Sequence, residues 1–510
     1  MPLPSSDTVW PPRPLVPAHD QMRIWKSWYQ GDPDVLAETY QVGPGRVRTR
    51  PAQRMGGVVG AVARFFLGRP NPPHQARSRL HVPLATDIAE ASANLLFADP
   101  PTFTAADERA QARLDAGLNT AETHSALLES AEIGAALGGT FLRIVWDREL
   151  SDSPWLDPVN ADAAVPEWRW GRMVAVTFWR TLPDPTGSGI TLRHLERHER
   201  GRVLHGLYAG GPAGLGRPVP LTEHTETEPL ARLVDADGAI PTGTDHLTAG
   251  YVPNMRPAPA WMDSPELADL GRSDYAAAEP TLDALDETYS SWMRDVKLAK
   301  ARILVPSGYL SNQGPGAGAT WDDDQEVFQE LDMLGSAGSL GEITPQQFAI
   351  RVAEHRDTCA ELRRIALDRA GLSPATMGRD DEGPNGARTA TEVEANTDRS
   401  ELTRKKKSRY WGAALGALGR AWLDVDAMLN PSGAPTERDA GLEWPDRSKP
   451  NPAETANTVE ALRRAEAAST ETLVAMANPN LSGDELKTEV GRVLAETGRM
   501  VPDPETWRGD

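Results

Sequence analysis

The sequence holds one cysteine, Cys359, in 510 residues. That excludes an internal disulfide framework and a cysteine-built metal cluster. Cys359 falls at helical spacing with Leu362 and Ile365, which reads as a small buried residue and not a reactive thiol. Long apolar runs are also missing. The nearest stretch, residues 58–68, is interrupted by Arg64 and falls short of the ~20 apolar residues a membrane span needs. The first 13 residues lack the charged-then-apolar layout of a secretory signal. A soluble protein made in a reducing cytosol is expected, with no membrane contact. No Gly-Lys dipeptide occurs, so a Walker A loop is absent and a P-loop ATPase is excluded. No G-x-S-x-G element occurs either. Lysine is scarce, with only eight among 53 basic residues. Between Arg302 and Arg351 there is no positive charge at all.

What is present is acid. Asp and Glu number 73, for a net charge of −20. Such a chain cannot hold DNA tightly by bulk charge, although an acidic wall can surround DNA without sticking to it. At this length two or more domains are expected. The 43 Pro and 44 Gly imply many short elements and long connections.

Helices are expected at 21–30, 84–97 and 120–137, the last closed by Gly138-Gly139. Residues 173–210 alternate as strands, with Glu199-Arg200-Gly201-Arg202 as a hairpin turn. A helix is expected at 281–303. Its seam, Leu282, Leu285, Tyr289, Trp292, Val296, Ala299 and Ile303, alternates steps of three and four, as in helices packed side by side. Asp286, Arg294, Asp295 and Lys300 fall on the opposite face. The acidic, glycine-rich insert 306–342 follows. A second helix is expected from Thr344-Pro345 to residue 370, since threonine caps and proline suits a first turn. A glycine-broken loop, 371–387, leads to a third helix at 389–424. Beyond a short strand at 441–444, helices are expected at 452–477 and 483–497. The class is α+β, mainly α.

Chemical motifs are few. The glycine clusters at 210–216 and 314–318 match no dinucleotide fingerprint and read as flexible loops. His194, Glu196 and His198 share one face of a strand; an exposed hairpin face is favoured over a metal site, since no further ligand is evident. Asp322-Asp323-Asp324 reads as a solvated acidic loop, with Mg²⁺ coordination as the alternative. The run Arg404 to Lys407 reads as a solvated helix face; contact with phosphate or with an acidic neighbour is the alternative. No enzyme, cofactor or metal is expected.

Several stretches resemble the portal (head-to-tail connector) proteins of tailed phages, in the siphophage branch common among phages of actinobacteria. They run in order from Leu80-His81-Val82-Pro83-Leu84-Ala85 through Leu137-Gly138-Gly139-Thr140-Phe141 and Tyr251-Val252-Pro253-Asn254-Met255. Gly271-Arg272-Ser273-Asp274-Tyr275 and Ser291-Trp292-Met293-Arg294-Asp295 follow. Ala370-Gly371-Leu372-Ser373-Pro374 and Thr389-Ala390-Thr391-Glu392-Val393 come last. No single stretch is a chemical signature; their order and number carry the match.

The resemblance implies a portal fold and a homo-oligomeric ring, usually of twelve subunits, at one capsid vertex. It implies a wing at 1–270, a first stem helix within 271–303 and a clip at 304–343. A second stem helix at 344–370, a tunnel loop at 371–388, a long wing helix and return strand at 389–451 and a short crown at 452–510 complete it. Implied partners are double-stranded DNA in the channel, the terminase large subunit, then the head–tail adaptor, and the major capsid protein. The implied location is the virion, with the host cytoplasm during assembly. The clip would dock partners through Tyr309, Leu310, Trp321 and Phe328 beside Asp322, Asp323 and Asp324. The loop from Met377, with Arg379, Asp380, Asp381, Glu382, Asn385 and Arg388, would touch DNA weakly. Leu282, Leu285, Tyr289, Trp292, Val296 and Ile303 would pack the stem. The rival classes are another virion structural protein, such as a shell subunit, and a metal-dependent enzyme around His194, His198 and the aspartate triplet.

Overall fold

The computed structural model describes residues 3–32, 35–36, 80–183, 187, 189–212, 214–298, 302–304, 311–312, 319–320, 344–346, 351–377, 390–445, 452–478, 481 and 483–497. The chain divides into two units, Met1–Glu443 and Trp444–Asp510.

The first unit opens with helix α1, Val16–Gln30, longer than expected by one turn. Ala18, Met22, Trp25 and Trp28 reach the core at helical spacing, and Gly31 closes the helix at φ +66°. Helix α2, Leu84–Phe97, has the expected bounds and buries Leu84, Ile88 and Leu96. Strand β1, Thr102–Thr104, precedes helix α3, Glu108–Gly117, whose cap Asp107 accepts from the Ala110 amide at 2.8 Å. Helix α4, Ala121–Leu137, is capped by the Thr120 hydroxyl and ends at Gly138, φ +85°. A Cβ there would lie 2.9 Å from the Gly271 carbonyl oxygen. Left-handed strain of about 1–2 kcal/mol then adds to a backbone clash. Gly138→Ala is expected to lose at least about 2 kcal/mol in urea unfolding; an unchanged midpoint would show that the 271–272 segment yields freely.

Nine strands follow: β2 (Gly139–Val145), β3 (Trp155–Asn160), β4 (Ala164–Arg169), β5 (Arg172–Leu182), β6 (Thr191–Glu199), β7 (Arg202–Gly210), β8 (Arg217–Val219), β9 (Ala239–Pro241) and β10 (Ala249–Pro253). They form a three-stranded sheet, β10-β2-β3, and a six-stranded sheet, β4-β5-β6-β7-β8 with β9 alongside β7. All pairs are antiparallel. The hairpin at Gly201 forms as expected, with φ +82°. His194 and His198 correct the sequence reading: both are buried, not on an exposed face. Strand β6 is central, and the connection around Glu226 to Leu233 lines the same cleft as these histidines.

Helix α5, Glu279–Leu298, ends before Ile303. Strand β11, Arg302–Leu304, follows, then β12 (Ser311–Asn312), β13 (Ala319–Thr320) and β14 (Thr344–Gln346). β12 pairs with β13, and β11 with β14, where Ile303 stands opposite Pro345. Ile303 is therefore a strand residue, not the end of a helical seam, and Thr344-Pro345 is not a helix start. The aliphatic run Ile303-Leu304-Val305 favours a strand. Helix α6, Val352–Ala370, starts later than expected and buries Cys359 as expected. Helix α7, Ala390–Leu429, outruns its expected end, and strand β15, Gly441–Glu443, pairs with β1.

The second unit holds α8 (Pro452–Arg464), α9 (Thr470–Ala477) and α10 (Gly483–Glu496). One helix was expected over 452–477. It breaks because Glu466 takes φ +53° and Ser469 caps a new helix, accepting from the Thr472 amide at 3.2 Å. Leu473 and Val474 of α9 are buried.

Candidate functional site

Helices α5 and α6 pack on each other. Along the α5 seam, Leu282 and Leu285 are buried, Tyr289 and Trp292 are half-buried, and Val296 is 43% exposed. The seam is thus closed at its base and open toward its end. Trp292 stacks on Tyr289 and on His355 of α6, each at 6.0 Å between centroids. His355 Nε2 donates to Asp295 Oδ2 at 2.9 Å, and Arg351 approaches the same oxygen at 3.4 Å. The His355 hydrogen bond holds the Asp295 carboxyl below its ordinary range. At the base, Glu279 accepts from Trp25 Nε1 and Gln21 Nε2. Asp286, assigned from sequence to the outer face, is buried. It accepts from the Val82 amide at 2.9 Å and lies 2.9 Å from His81 Nδ1. Segment 80–82 therefore staples the root of α5.

Helix α6 ends at Gly371, φ +75°, where the Thr403 hydroxyl donates to the Gly371 carbonyl at 2.8 Å. A short turn, Pro374–Met377, follows. Here three hydroxyls meet: Thr376 and Ser400 lie 2.7 Å apart, Ser373 and Thr376 3.0 Å, and Ser400 accepts from the Ser373 amide at 2.9 Å. The described chain leaves this latch at Met377 and re-enters in α7, which carries Ser400 back to it. Met377 packs half-buried on the core. Arg379, Asp380, Asp381, Glu382, Asn385 and Arg388 lie outside the described residues. So do Tyr309, Leu310, Trp321, Asp322, Asp323, Asp324 and Phe328.

Two turns beyond Ser400, Lys407 departs from the solvated-face reading of 404–407, which the exposed Lys405 and Lys406 keep. Its side chain is 2% exposed, and Nζ donates to Asp274 Oδ2 at 2.6 Å, Asp274 Oδ1 at 2.8 Å and Ser92 Oγ at 2.5 Å. Asn254 Nδ2 donates to the same Asp274 at 2.8 Å. Burial pulls the Lys407 pKa down and Asp274 opposes it. A signal was present: Lys407 stands four residues before Trp411, on the stripe continued by Leu415, Leu418 and Trp422.

A second polar cluster lies in an open cleft of about 570 Å³ on the six-stranded sheet. His194 and His205 stack at 5.4 Å, with Nε2 and Nδ1 3.3 Å apart. Burial pushes His194 down to about 3 and His205 down to about 4. Burial raises the Glu196 pKa, but the His198 hydrogen bond and the Arg143 charge outweigh it and hold the carboxyl well below its ordinary range. His198 Nδ1 lies 2.7 Å from Thr248 Oγ1. These groups satisfy one another. Among the described residues no three His, Cys, Asp or Glu are placed to hold a metal ion.

The family model "Phage portal protein, SPP1 Gp6-like" matches residues 212–501, more than half of the chain. The chain belongs to this family of phage portal proteins. The family is structural and non-enzymatic, and its members are virion components at the capsid vertex. Among solved structures, a chain of "Neck of empty GTA particle computed with C6 symmetry" is 15% identical at TM-score 0.41, covering 82% of this chain and 92% of that one. A chain of "Virion of native gene transfer agent (GTA) particle" is 15% identical at 0.39, covering 85% and 99%. One of "Neck of native GTA particle computed with C12 symmetry" is 16% identical at 0.39, covering 84% and 92%. At these scores the likenesses bear on no functional statement. No curated protein matches the chain.

Proposed function

We propose that the chain is the subunit of a closed ring, a dodecamer, that forms the channel for packaging and ejecting double-stranded DNA. The observation that carries this is the family match over 212–501, which includes α5, α6 and α7. In this reading α5 and α6 form the stem, and segment 304–343 is the clip. Having no Lys or Arg, the clip repels duplex and docks proteins, first the terminase large subunit and then the head–tail adaptor. The major capsid protein holds the ring from outside. Assembly takes place in the host cytoplasm. The arginine-heavy basic set supports a siphophage of a GC-rich host. Electron microscopy of the purified protein tests the reading. Rings with a central hole are expected; hexamer and pentamer shells, or monomers at every concentration, would refute it.

Segment 377–388 is the tunnel loop in this reading. Arg379 and Arg388 are offset by Asp380, Asp381 and Glu382, which keeps phosphate contact weak and DNA release fast. Converting those three acids to lysine reverses the balance and is expected to stall packaging. Full-length genomes packaged at the normal rate by that variant would remove the loop from the channel.

A further inference from the structure

Strands β4 and β5 are joined by two residues, Trp170 and Gly171, with Arg169 paired to Arg172. Both turn residues have positive φ, +53° and +71°, as a type I′ hairpin turn requires. Such turns favour Asn-Gly; a bulky side chain there is disfavoured by about 1–2 kcal/mol. Trp170 is nonetheless 95% exposed. The hairpin beneath it is rigid: Arg197 holds Glu167 through two hydrogen bonds, at 2.6 and 3.0 Å. Trp168, two residues away, packs on Tyr251. A fixed hairpin thus presents one strained, uncovered indole between two exposed arginines, on a chain of net charge −20. Strain held at an exposed site points to use of that site.

The cleft on the same sheet has the complementary character. Its apolar side includes Leu230 and Leu233, and Leu233 is 64% exposed. Its charged lining is two arginines, Arg143 and Arg180, ion-paired with Glu196 at 2.5 Å and Glu226 at 2.8 Å, which leaves the Asp147 carboxylate in excess. Its stacked histidines are neutral at pH 7, because burial disfavours their charge. Volume and charge suit an indole flanked by cations. Eight residues of strand separate Trp170 from Phe178 at the cleft, about 25 Å, so a tip on the same straight hairpin does not fill its own cleft. A ring needs two different, complementary surfaces on every copy.

We propose that Trp170 of one protomer seats beside Leu233 in the cleft of the next, as a head-to-tail contact repeated around the ring. The contact rests on the ring reading above. Trp170→Gly relieves the turn, so protomer melting should hold or rise. The protein concentration for half-assembly, read by mass photometry, should increase about tenfold or more, as for an aromatic hot spot. Leu233→Arg should do the same from the cleft side. In oxidant-free mixtures of an Arg172→Cys chain and a differently tagged Leu230→Cys chain, a short bismaleimide should join unlike chains. If rings form at wild-type concentrations in both assembly variants and unlike chains do not crosslink, the contact is wrong and the ring stands. If the wild type forms no ring at all, the ring reading falls and the contact with it.

Discussion

Lys407→Met should remove about 3–5 kcal/mol from the stability of the first unit, the largest effect of any single substitution considered. The ammonium donates to both oxygens of Asp274 and to Ser92. Methionine fills similar space, so the loss is not one of packing. It comes from Asp274, whose side chain is 1% exposed and would keep only the Asn254 donor. A buried pair contributes little net energy compared with apolar residues, whereas half a pair is an uncompensated charge. Lys407→Met combined with Asp274→Leu should therefore recover most of the loss. Urea unfolding of the two single variants and the double gives the coupling. Single losses below about 1 kcal/mol, or no recovery in the double, would show that water reaches the pair.

The effect reaches the 373–377 turn upstream. Lys407 fixes the register of α7 against α2 and the 254–274 segment. Ser400, two turns earlier, latches Ser373 and Thr376. Hydrogen exchange at 372–377 should rise in Lys407→Met and return in the double variant.

Much of this fold was legible locally. Gly31, Gly138 and Gly371 end helices as glycine C-caps do, and Thr120 begins one as a cap should. Strands β5 to β7 were legible from alternation and the Gly201 turn. What failed was mostly tertiary. Nothing local says that strand β6 has both faces covered, so the alternation alone points His194 and His198 to an exposed face. Lys407 and Asp286 each needed a partner more than 100 residues away in sequence. Helical spacing carries the expected first helix through to Ile303, and Thr344-Pro345 reads as a cap and first turn; the pairing of 302–304 with 344–346 across about 40 intervening residues has no local signal. The exposure of Trp170 and its positive φ are not written in residue type.

The histidine cluster makes a second large effect, in acid. His194 and His205 are held neutral in the fold, at about 3 and about 4 against an ordinary 6.5. In the unfolded chain both take a proton near pH 6.5. Between that value and the folded values the unfolded state binds more protons, so stability rises with pH and is lost as pH falls. At pH 5 each histidine removes about 2 kcal/mol, or about 4 kcal/mol for the pair. Burial sets the sign. Arg143 from β2 and Arg180 from β5 also oppose a proton on the pair, while Glu196 favours one and is outweighed. Below pH 4.5 the depressed Glu196 carboxyl adds loss in the same direction. Urea midpoints of the protomer should fall steeply from pH 7 to 5, with up to about two protons taken up on unfolding. His194→Gln with His205→Gln should flatten that slope. An equal slope in wild type and double variant would place the acid sensitivity elsewhere and show that solvent relaxes the stacked pair.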